Sequence, residues 1–487
     1  MTHSHLTHSI EQLAAAMAHL TDAELAGGGY AWGDYSGVRM ALLGTAQDLD
    51  ALSATLLVQR VAAGNPPSHA QLLLSHHREA YRALLALLVG IEPAELTRAP
   101  AHGEWPVTEA LRHIDEAERG FFISILAGLD AQTQGAAAAM PPHDQRAALL
   151  AEADPAATED AGAEEQLAAY ARLHFLVETK LTGLSDAQLE ARSPFWEPEQ
   201  PSVAFRIGRF TAHLREHTVQ VEKTLLALGH IPGEAALHIR TLYSALAGVE
   251  GALMGAPEPE ASATATPTGA DWVAECAALA TTIVGRAEAV AQAVADSAAL
   301  IAAIRAGDTP GVDSLLAQNP RLMDASDENQ QSAVLVAAYA HQFAIAQKLH
   351  KAGAELDLFS AAAIGYLPEV EAYYNWKAET INRFAKDGFT SLQLACYFGQ
   401  AEVALFLIEK GADIHAVSKN GATLQAIHAA VAGRNAAIVR ALIDAGADVT
   451  SQQAGGFTPL IAAEQNGDGE IVGMLRHSAD GLQLERY

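Results

Sequence analysis

Two histidines combine residue type and spacing in a way that suits a metal ion. His213 and His217 lie four residues apart in a segment with helical apolar periodicity, so both imidazoles would project from one helix face. Phe210 and Val221 share that face, which predicts that it points into a core. Two imidazoles buried together are costly unless each has a partner, and a divalent cation supplies one for both.

A third ligand has to come from another helix. His113 is the best candidate, because it lies in an amphipathic segment that begins after Trp105 and Pro106. Glu116, further along the same segment, is predicted either as a fourth ligand or as a residue that holds a bound water. Three protein ligands leave one or two coordination positions open for water or substrate, as in catalytic sites, although a site in a bundle can also be structural.

Other residues near the histidine pair allow two further interpretations. Arg206 and Arg209 precede His213 by one to two helical turns, where they could bind a substrate carboxylate at the mouth of the site or simply lie at the surface. The same segment also contains an HxxEH string, the signature of inverted-zincin peptidases, in which Glu216 would activate water. That alternative ranks low, because no β pattern surrounds the helix and Glu216 lies about 100° around it from His217.

The elements that would position these residues have a helical pattern. Four amphipathic segments lie between residues 66 and 255: one after a Ser68 N-cap, one after Pro106, one over residues 164–181 and one after a Ser202 N-cap. We therefore predict an all-α fold with a four-helix bundle over residues 66–255. Residues 1–65 are predicted to add extra helices, either a degenerate half-copy of the bundle with Gly44 at the ligand position or a chance similarity.

Composition restricts the classes of function. Only 6% of the residues are aromatic, which favours helical packing over β-sandwiches. The formal net charge of −28 argues against nucleic acid and anionic membrane surfaces as partners. Cys276 and Cys396 are too few for a disulfide framework and predict reduced core thiols. We saw neither a signal peptide nor a membrane span, so the expected location is the cytoplasm.

The C-terminal half is separated from the bundle and is periodic. Residues 256–270 contain prolines and small polar residues and are predicted to be a flexible linker, followed by a connecting helix over 271–297. Beyond it, Gly365, Gly399, Gly433 and Gly467 recur every 34 residues; His341 lies 34 residues after Gly307, and the unit that follows it is shortened to 24 residues. A fixed period of this length predicts a solenoid of stacked units over residues 298–487.

These units resemble ankyrin repeats. The likeness rests on Thr458-Pro459-Leu460, on Thr390-Ser-Leu-Gln-Leu-Ala395 and on Glu409-Lys-Gly-Ala-Asp413. It covers about residues 298–480, as six units of which the first, third and last are degenerate. The resemblance implies a solenoid that binds an unidentified protein; a solenoid that only stabilises its neighbour is the alternative.

The bundle resembles the DinB/YfiT-like superfamily of metal-binding four-helix bundles. The likeness rests on Gly103-Glu-Trp-Pro-Val-Thr-Glu-Ala-Leu-Arg-His113 and on His213-Leu-Arg-Glu-His217. It implies a divalent metal held by His113, His213 and His217, with zinc, nickel, iron and copper not distinguished. It also implies metal-dependent hydrolase chemistry or S-transfer from a low-molecular-weight thiol such as bacillithiol or mycothiol to a small-molecule substrate, with a homodimer as one assembly. The alternative is a non-catalytic, metal-stabilised adaptor.

Overall fold

A computed structural model describes residues 2–142, 145–146, 149–150, 161–195, 199–256 and 272–484. The predicted linker thus falls almost entirely outside the described residues. Within its described residues, the chain divides into two compact units. The first unit comprises Met1–Asp22 and Arg39–Ala289, and the second comprises Ala23–Val38 and Val290–Tyr487. The fold is all-helical, as predicted, and the described residues contain only a two-stranded hairpin as sheet.

As far as residue 306, the described elements are helices of varied length and one two-stranded hairpin. In chain order they are α1 (Thr2–Met17), α2 (Asp22–Ala26), β1 (Ala31–Trp32), β2 (Tyr35–Ser36), α3 (Met40–Ala62), α4 (His69–Leu88), α5 (Pro93–Leu96), α6 (Val107–Gln134), α7 (Ala163–Leu181), α8 (Asp186–Leu189), α9 (Val203–Ala227), α10 (Glu234–Leu253) and α11 (Trp272–Ala306). Most of α2 and the hairpin belong to the second unit, so residues 1–65 are divided between the two units.

The predicted helix starts in the bundle are confirmed. The Ser68 side chain accepts a hydrogen bond from the backbone N–H of Gln71, whose side chain accepts one in return from the Ser68 N–H, forming a capping box. Ser202 accepts from the N–H of Phe205 at the start of α9. Pro106 immediately precedes α6, where its fixed φ suits a helix entry.

The bundle core is formed by the apolar faces of α4, α6, α7 and α9. These helices bury one continuous set of side chains that includes Leu74, Phe122, Leu173 and Phe210. Helix α10 packs against α3 and α4 on another side of the bundle. The predicted extra N-terminal helices are therefore present, and the proposal that they form a half-copy stays a prediction.

A buried ion pair connects α4 to α10. The guanidinium of Arg82 donates from Nε to Glu250 Oε2 over 2.9 Å and from Nη2 to Glu250 Oε1 over 2.5 Å. Thr7 of α1 also donates to Glu250 Oε1. Both charged side chains are almost fully buried and need a counter-charge, and longer contacts of Arg82 with Glu11, at 3.4 Å, and of Glu250 with Arg78, at 3.8 Å, extend the pair.

The second unit is a series of helix hairpins beginning with the C-terminal part of α11. Its further helices are α12 (Thr309–Gln318), α13 (Ala333–Tyr339), α14 (Phe343–Lys351), α15 (Leu358–Ile364), α16 (Leu367–Trp376), α17 (Ser391–Tyr397), α18 (Ala401–Glu409), α19 (Ala426–Ala432), α20 (Ala436–Asp444), α21 (Pro459–Asn466) and α22 (Gly469–Leu484). A separate hydrophobic core runs through these hairpins.

Neighbouring hairpins are joined by side-chain amides that lie within two residues of a turn glycine, although not at the same repeat position. Gln400 donates to the carbonyl of Ala363, and Asn435 donates to the carbonyl of Gly399. Asn466 donates to the carbonyl of Val431 in the same way. Each bond satisfies a carbonyl at the end of a first helix, where no helical N–H is available.

The turn between the two helices of a hairpin differs from the repeat pattern in one unit. Gly365, Gly399 and Gly467 have left-handed φ angles, as the repeat pattern suggests, but Gly433 has φ −74° and Arg434 adopts φ 53° instead. A Cβ on Gly433 would lie 2.3 Å from the carbonyl oxygen of Cys396, so close backbone approach explains this glycine.

Helix α11 is long and apolar enough to span a membrane by length and composition alone. The sequence shows no uninterrupted apolar run here, because charged residues such as Glu275 and Arg286 interrupt α11, and so it did not predict a membrane-spanning length. That guanidinium donates to Thr45 and forms an ion pair with Asp48, contacts that bind this part of α11 to α3. One such helix is weak evidence for a membrane span, since core helices pass the same test.

Candidate functional site

The structure brings the three predicted histidines together between α6 and α9. Nε2 of His113 lies 3.3 Å from Nε2 of His213, and the ring centroids of His213 and His217 are 4.4 Å apart. The rings of His113 and His217 are 4.6 Å apart, and one ring nitrogen from each of the three histidines lies within 4.8 Å of the others. Four-residue spacing on α9 and the packing of α6 against it produce this convergence.

The site is buried on one side and accessible on the other. His213 is 7% exposed and packs edge-on against Phe121, whereas His113 and His217 are half-buried. The exposed indole of Trp105 lies against the His113 ring, with 5.3 Å between the ring centroids. A small molecule could therefore approach the His113 and His217 side of the cluster.

The electrostatics favour neutral imidazoles, which are the form that binds metals. Burial lowers the pKa of His213 to about 4, with further lowering by the neighbouring His217, His113 and Arg209. Burial and the nearby His217 also lower the pKa of His113. The rings of His113 and His213 can thus each present a lone pair near neutral pH.

A neighbouring amide orients one of the three rings. Nδ1 of His217 lies 2.8 Å from the side-chain oxygen of Gln220. Because an amide oxygen only accepts, Nδ1 carries the proton and donates it, which leaves the lone pair on Nε2. The arrangement matches the outer hydrogen bonds that fix metal-binding histidines.

The donor set fits a divalent cation. The 3.3 Å between the ring nitrogens of His113 and His213 is close to the separation of about 3.4 Å between neighbouring ligands of a tetrahedral zinc ion. Without a cation, one of these two nitrogens has to carry a proton and donate it to the other, whereas a cation lets both present lone pairs. His213 Nδ1 also has no hydrogen-bond partner among the described residues. His113, His213 and His217 are therefore the residues that could hold a metal.

Glu116 does not join the three histidines. Its side chain is 55% exposed and forms an ion pair with Arg112 on the same helix, with 3.0 Å between Oε1 and Nη1. The expectation of an extra ligand or a water-holding residue at this position is thus not met, because Glu116 lies on the solvent side of α6.

The two predicted substrate anchors differ in their environments. Arg206 is only 1% exposed, and its guanidinium lies over the rings of Phe121 and Phe195 at 5.7 Å and 5.1 Å. Arg206 therefore packs behind the three-histidine site, and it lies neither at the mouth of that site nor at the protein surface. Arg209 is half-buried, and its charge acts on His213, so it remains a candidate for binding an anionic group.

The peptidase interpretation has no structural support. Glu216 is exposed, as its position on the helix predicted, and so it faces away from the buried His213. The all-helical fold also lacks the α/β setting that inverted zincins need.

Sequence reasoning missed a second polar cluster deeper in the bundle. His77 of α4, Glu118 of α6 and His174 of α7 are almost completely buried and also offer ligand atoms within 4.8 Å of one another. Burial lowers the pKa of His174 to about 3. A usable signal existed, because each histidine lies among apolar residues at helical spacing, as with Leu74 and Tyr81 around His77.

The fold and the first cluster define a helical bundle with a three-histidine candidate metal site, followed by a helix-hairpin array. Residues 76–221 match the DinB superfamily, and residues 387–419 match the ankyrin repeat. The chain therefore carries a DinB-superfamily domain in its N-terminal half and an ankyrin repeat in its C-terminal half. All three histidines lie within the DinB match. No curated protein matches the chain.

Proposed function

We infer that this chain is a metal-dependent DinB-superfamily enzyme, either a hydrolase or a low-molecular-weight-thiol S-transferase, whose ankyrin domain binds another protein. One observation carries the proposal: three imidazoles from two helices converge while two of them stay partly exposed. Such a site leaves room for a substrate beside the ligands. We propose a cytoplasmic location, in keeping with the free, buried thiols of Cys276 and Cys396.

Each residue of the site would have a separate role. His113, His213 and His217 would hold the cation, with Gln220 fixing the orientation of His217. When bound, a divalent cation supplies Lewis acidity, which polarises a carbonyl and eases deprotonation of water or a thiol. Phe121 and the buried side of His213 exclude water from the floor of the site. Arg209 would attract an anionic substrate group.

The two reaction classes differ only in the nucleophile. In hydrolysis, a water oxygen would bond to an acyl carbon and the bond to the leaving group would break, with the water proton passing to that group or to solvent. In S-transfer, the thiol sulfur would bond to an electrophilic carbon that expels its leaving group. Nothing among the described side chains selects one of these nucleophiles, and the metal could be zinc, nickel, iron or copper.

The second candidate function is a metal-stabilised adaptor without turnover. The ankyrin match favours it, since stacked repeats serve mainly to bind proteins. In that case the cation would only support folding of the bundle.

Turnover by tag-free full-length protein would distinguish the candidates. We would load the protein with each metal and assay p-nitrophenyl acetate hydrolysis, and separately bimane transfer to bacillithiol, mycothiol or glutathione. The His213→Ala variant should lose the activity, because it removes the most buried ligand. The matched control is His230→Ala, which removes a half-exposed histidine paired with Glu95 and should change nothing. Equal rates for wild type and His213→Ala would reject the enzyme proposal for those substrates.

A further inference from the structure

The second cluster lies at the junction of three helices of the bundle. His77 and Glu118 are 0% exposed and His174 is 1% exposed, so the cluster has essentially no contact with solvent. Each residue comes from a different helix, namely α4, α6 and α7. Burying a polar side chain in an apolar core costs free energy unless the side chain has a partner, so three such side chains from three helices call for a shared partner.

Most of the polar atoms in the cluster lack a hydrogen bond. Across the described part of the chain, both ring nitrogens of His77, Nδ1 of His174 and Oε2 of Glu118 have no hydrogen-bond partner, whereas Nε2 of His174 pairs with Oε1 of Glu178. The other carboxylate oxygen, Oε1, accepts from the hydroxyl of Tyr170 over 2.9 Å. Leaving a buried polar atom unsatisfied costs stability, so four such atoms in one cluster need an explanation.

The free atoms face one another at a distance that suits metal ligands. Nε2 of His77 lies 3.5 Å from Oε2 of Glu118, close to the separation of about 3.4 Å between adjacent ligands of a tetrahedral zinc ion. Nε2 of His174 lies 3.2 Å from Glu178, a carboxylate placed to orient that ring. Two imidazoles and one carboxylate form a donor set that zinc proteins use.

Aromatic rings enclose the cluster. The His174 ring stacks on Tyr81 with 4.0 Å between centroids, and Phe210 lies edge-on to His77 at 5.2 Å. Phe210 in turn contacts Phe121, which contacts His213 of the first site. Two phenylalanine rings thus separate the clusters, and the deeper one has no route for substrate.

We propose that His77, Glu118 and His174 form a second divalent-cation site, of the zinc class, whose bound ion stabilises the bundle core. The site is enclosed and structural. It does not depend on the proposed function, because none of its ligands belongs to the three-histidine site. The competing explanation for the close approach of His77 and Glu118 is a protonated His77 that forms an ion pair with the Glu118 carboxylate and needs no metal.

Metal stoichiometry tests this directly. Tag-free full-length protein would be refolded from urea with a slight excess of zinc, passed through a desalting column and analysed by elemental mass spectrometry. Wild type should retain about two equivalents of zinc and His213→Ala about one, since the enclosed site remains. His213→Ala protein that retains no zinc would overturn the proposal, whatever the first site does.

Variants of the cluster itself complete the test. Glu118→Gln keeps an acceptor for Tyr170 and the side-chain shape but removes the anionic ligand, so it should retain about one equivalent, and none when combined with His213→Ala. The matched control is His76→Ala, which removes the exposed neighbour of His77 and should retain wild-type zinc. Far-ultraviolet circular dichroism would verify folding. A Glu118→Gln, His213→Ala double variant that is folded and still holds zinc would contradict the assignment.

Discussion

At the scale of single residues, Gln220 shows how a neighbour that binds no metal can set the properties of one that does. Its amide oxygen accepts the Nδ1 proton of His217, which fixes both the tautomer and the orientation of the ring. The helical spacing of three residues between them places the two side chains on one face of α9. Gln220 is thus a positioning residue for the proposed site.

We predict that Gln220→Leu weakens metal binding at the first site about 10–100-fold, because the acceptor for His217 is lost. Competition with a fluorescent zinc indicator would measure the dissociation constant. Gln220→Glu retains an acceptor at the same position and should bind metal at least as tightly as wild type. Equal affinity in the leucine and glutamate variants would argue against an orienting role.

Residue types and spacing were enough to find the first cluster but not the second. His213 and His217 share one helix, and their spacing alone indicates a common face. His77, Glu118 and His174 come from three helices, and only the packing of those helices shows that they meet. The environment of Arg206 was also unpredictable, since a long side chain at a helix position can either reach solvent or fold back over aromatic rings, as it does here.

At the scale of elements, the contact between α4 and α10 depends on buried charges. Burial opposes ionisation of Glu250, but the nearby guanidinium groups of Arg78 and Arg82 outweigh it and lower the pKa of Glu250 below its usual value. At pH values above about 4.3, the pKa of Glu in an unfolded chain, the ionised carboxylate therefore stabilises the folded state. This contribution is lost as the pH falls from there through the lower pKa of Glu250 in the folded state.

We predict that Glu250→Gln destabilises the first unit by roughly 3 kcal/mol near pH 7, because the buried Arg82 loses its bidentate counter-charge and keeps only Glu11, at 3.4 Å. The difference from wild type should shrink as the pH falls below about 4.3, where the wild-type carboxylate is progressively protonated. Urea unfolding from pH 7 down to pH 3 would measure it. Glu79→Gln, which removes a half-exposed partner of Arg215, should have little effect at any pH. A difference that is constant with pH would contradict this account.

The hairpin turns of the second unit make a separate prediction. Gly433→Ala should destabilise this unit by roughly 1–3 kcal/mol, since the new methyl group would overlap the carbonyl oxygens of Cys396 and Tyr397. Gly473→Ala, in the exposed part of α22 with open space around it, should be neutral or stabilising. Thermal unfolding of both variants would test the pair. A neutral Gly433→Ala variant would show that the neighbouring backbone gives way.

The repeat pattern located these turns correctly but not their backbone conformations. The 34-residue interval marks where each turn must occur, and the residue that adopts the left-handed conformation is decided locally. In one unit it is His341, with φ 57°, and in another it is Arg434 beside the glycine. Stacking of the hairpins provides enough stabilisation to hold non-glycine residues in this strained region.

At the scale of the whole molecule, the two units have separate hydrophobic cores, and the candidate metal sites lie in only one of them. A ligand that binds the native state stabilises it by an amount that depends on its concentration relative to the dissociation constant, about 2.7 kcal/mol at a hundredfold excess. Metal should therefore stabilise the bundle and leave the hairpin array unaffected.

We predict two thermal transitions in calorimetry of the zinc-loaded chain, of which only one moves to lower temperature when a chelator is added. In the His213→Ala, Glu118→Gln double variant the chelator should move neither, because both candidate sites are disabled. A chelator effect of equal size on both transitions, or none in wild type, would contradict the assignment of metal to the bundle.

The amides of Gln400, Asn435 and Asn466 have a consequence for how this array can change in length. Each joins its own hairpin to the preceding one through the same type of bond. The donor lies one residue after the turn glycine for Gln400, two after it for Asn435 and one before it for Asn466, so no fixed register sets the bond. Excising or duplicating one whole unit would therefore keep the array continuous only where the new neighbours can re-form this amide contact locally.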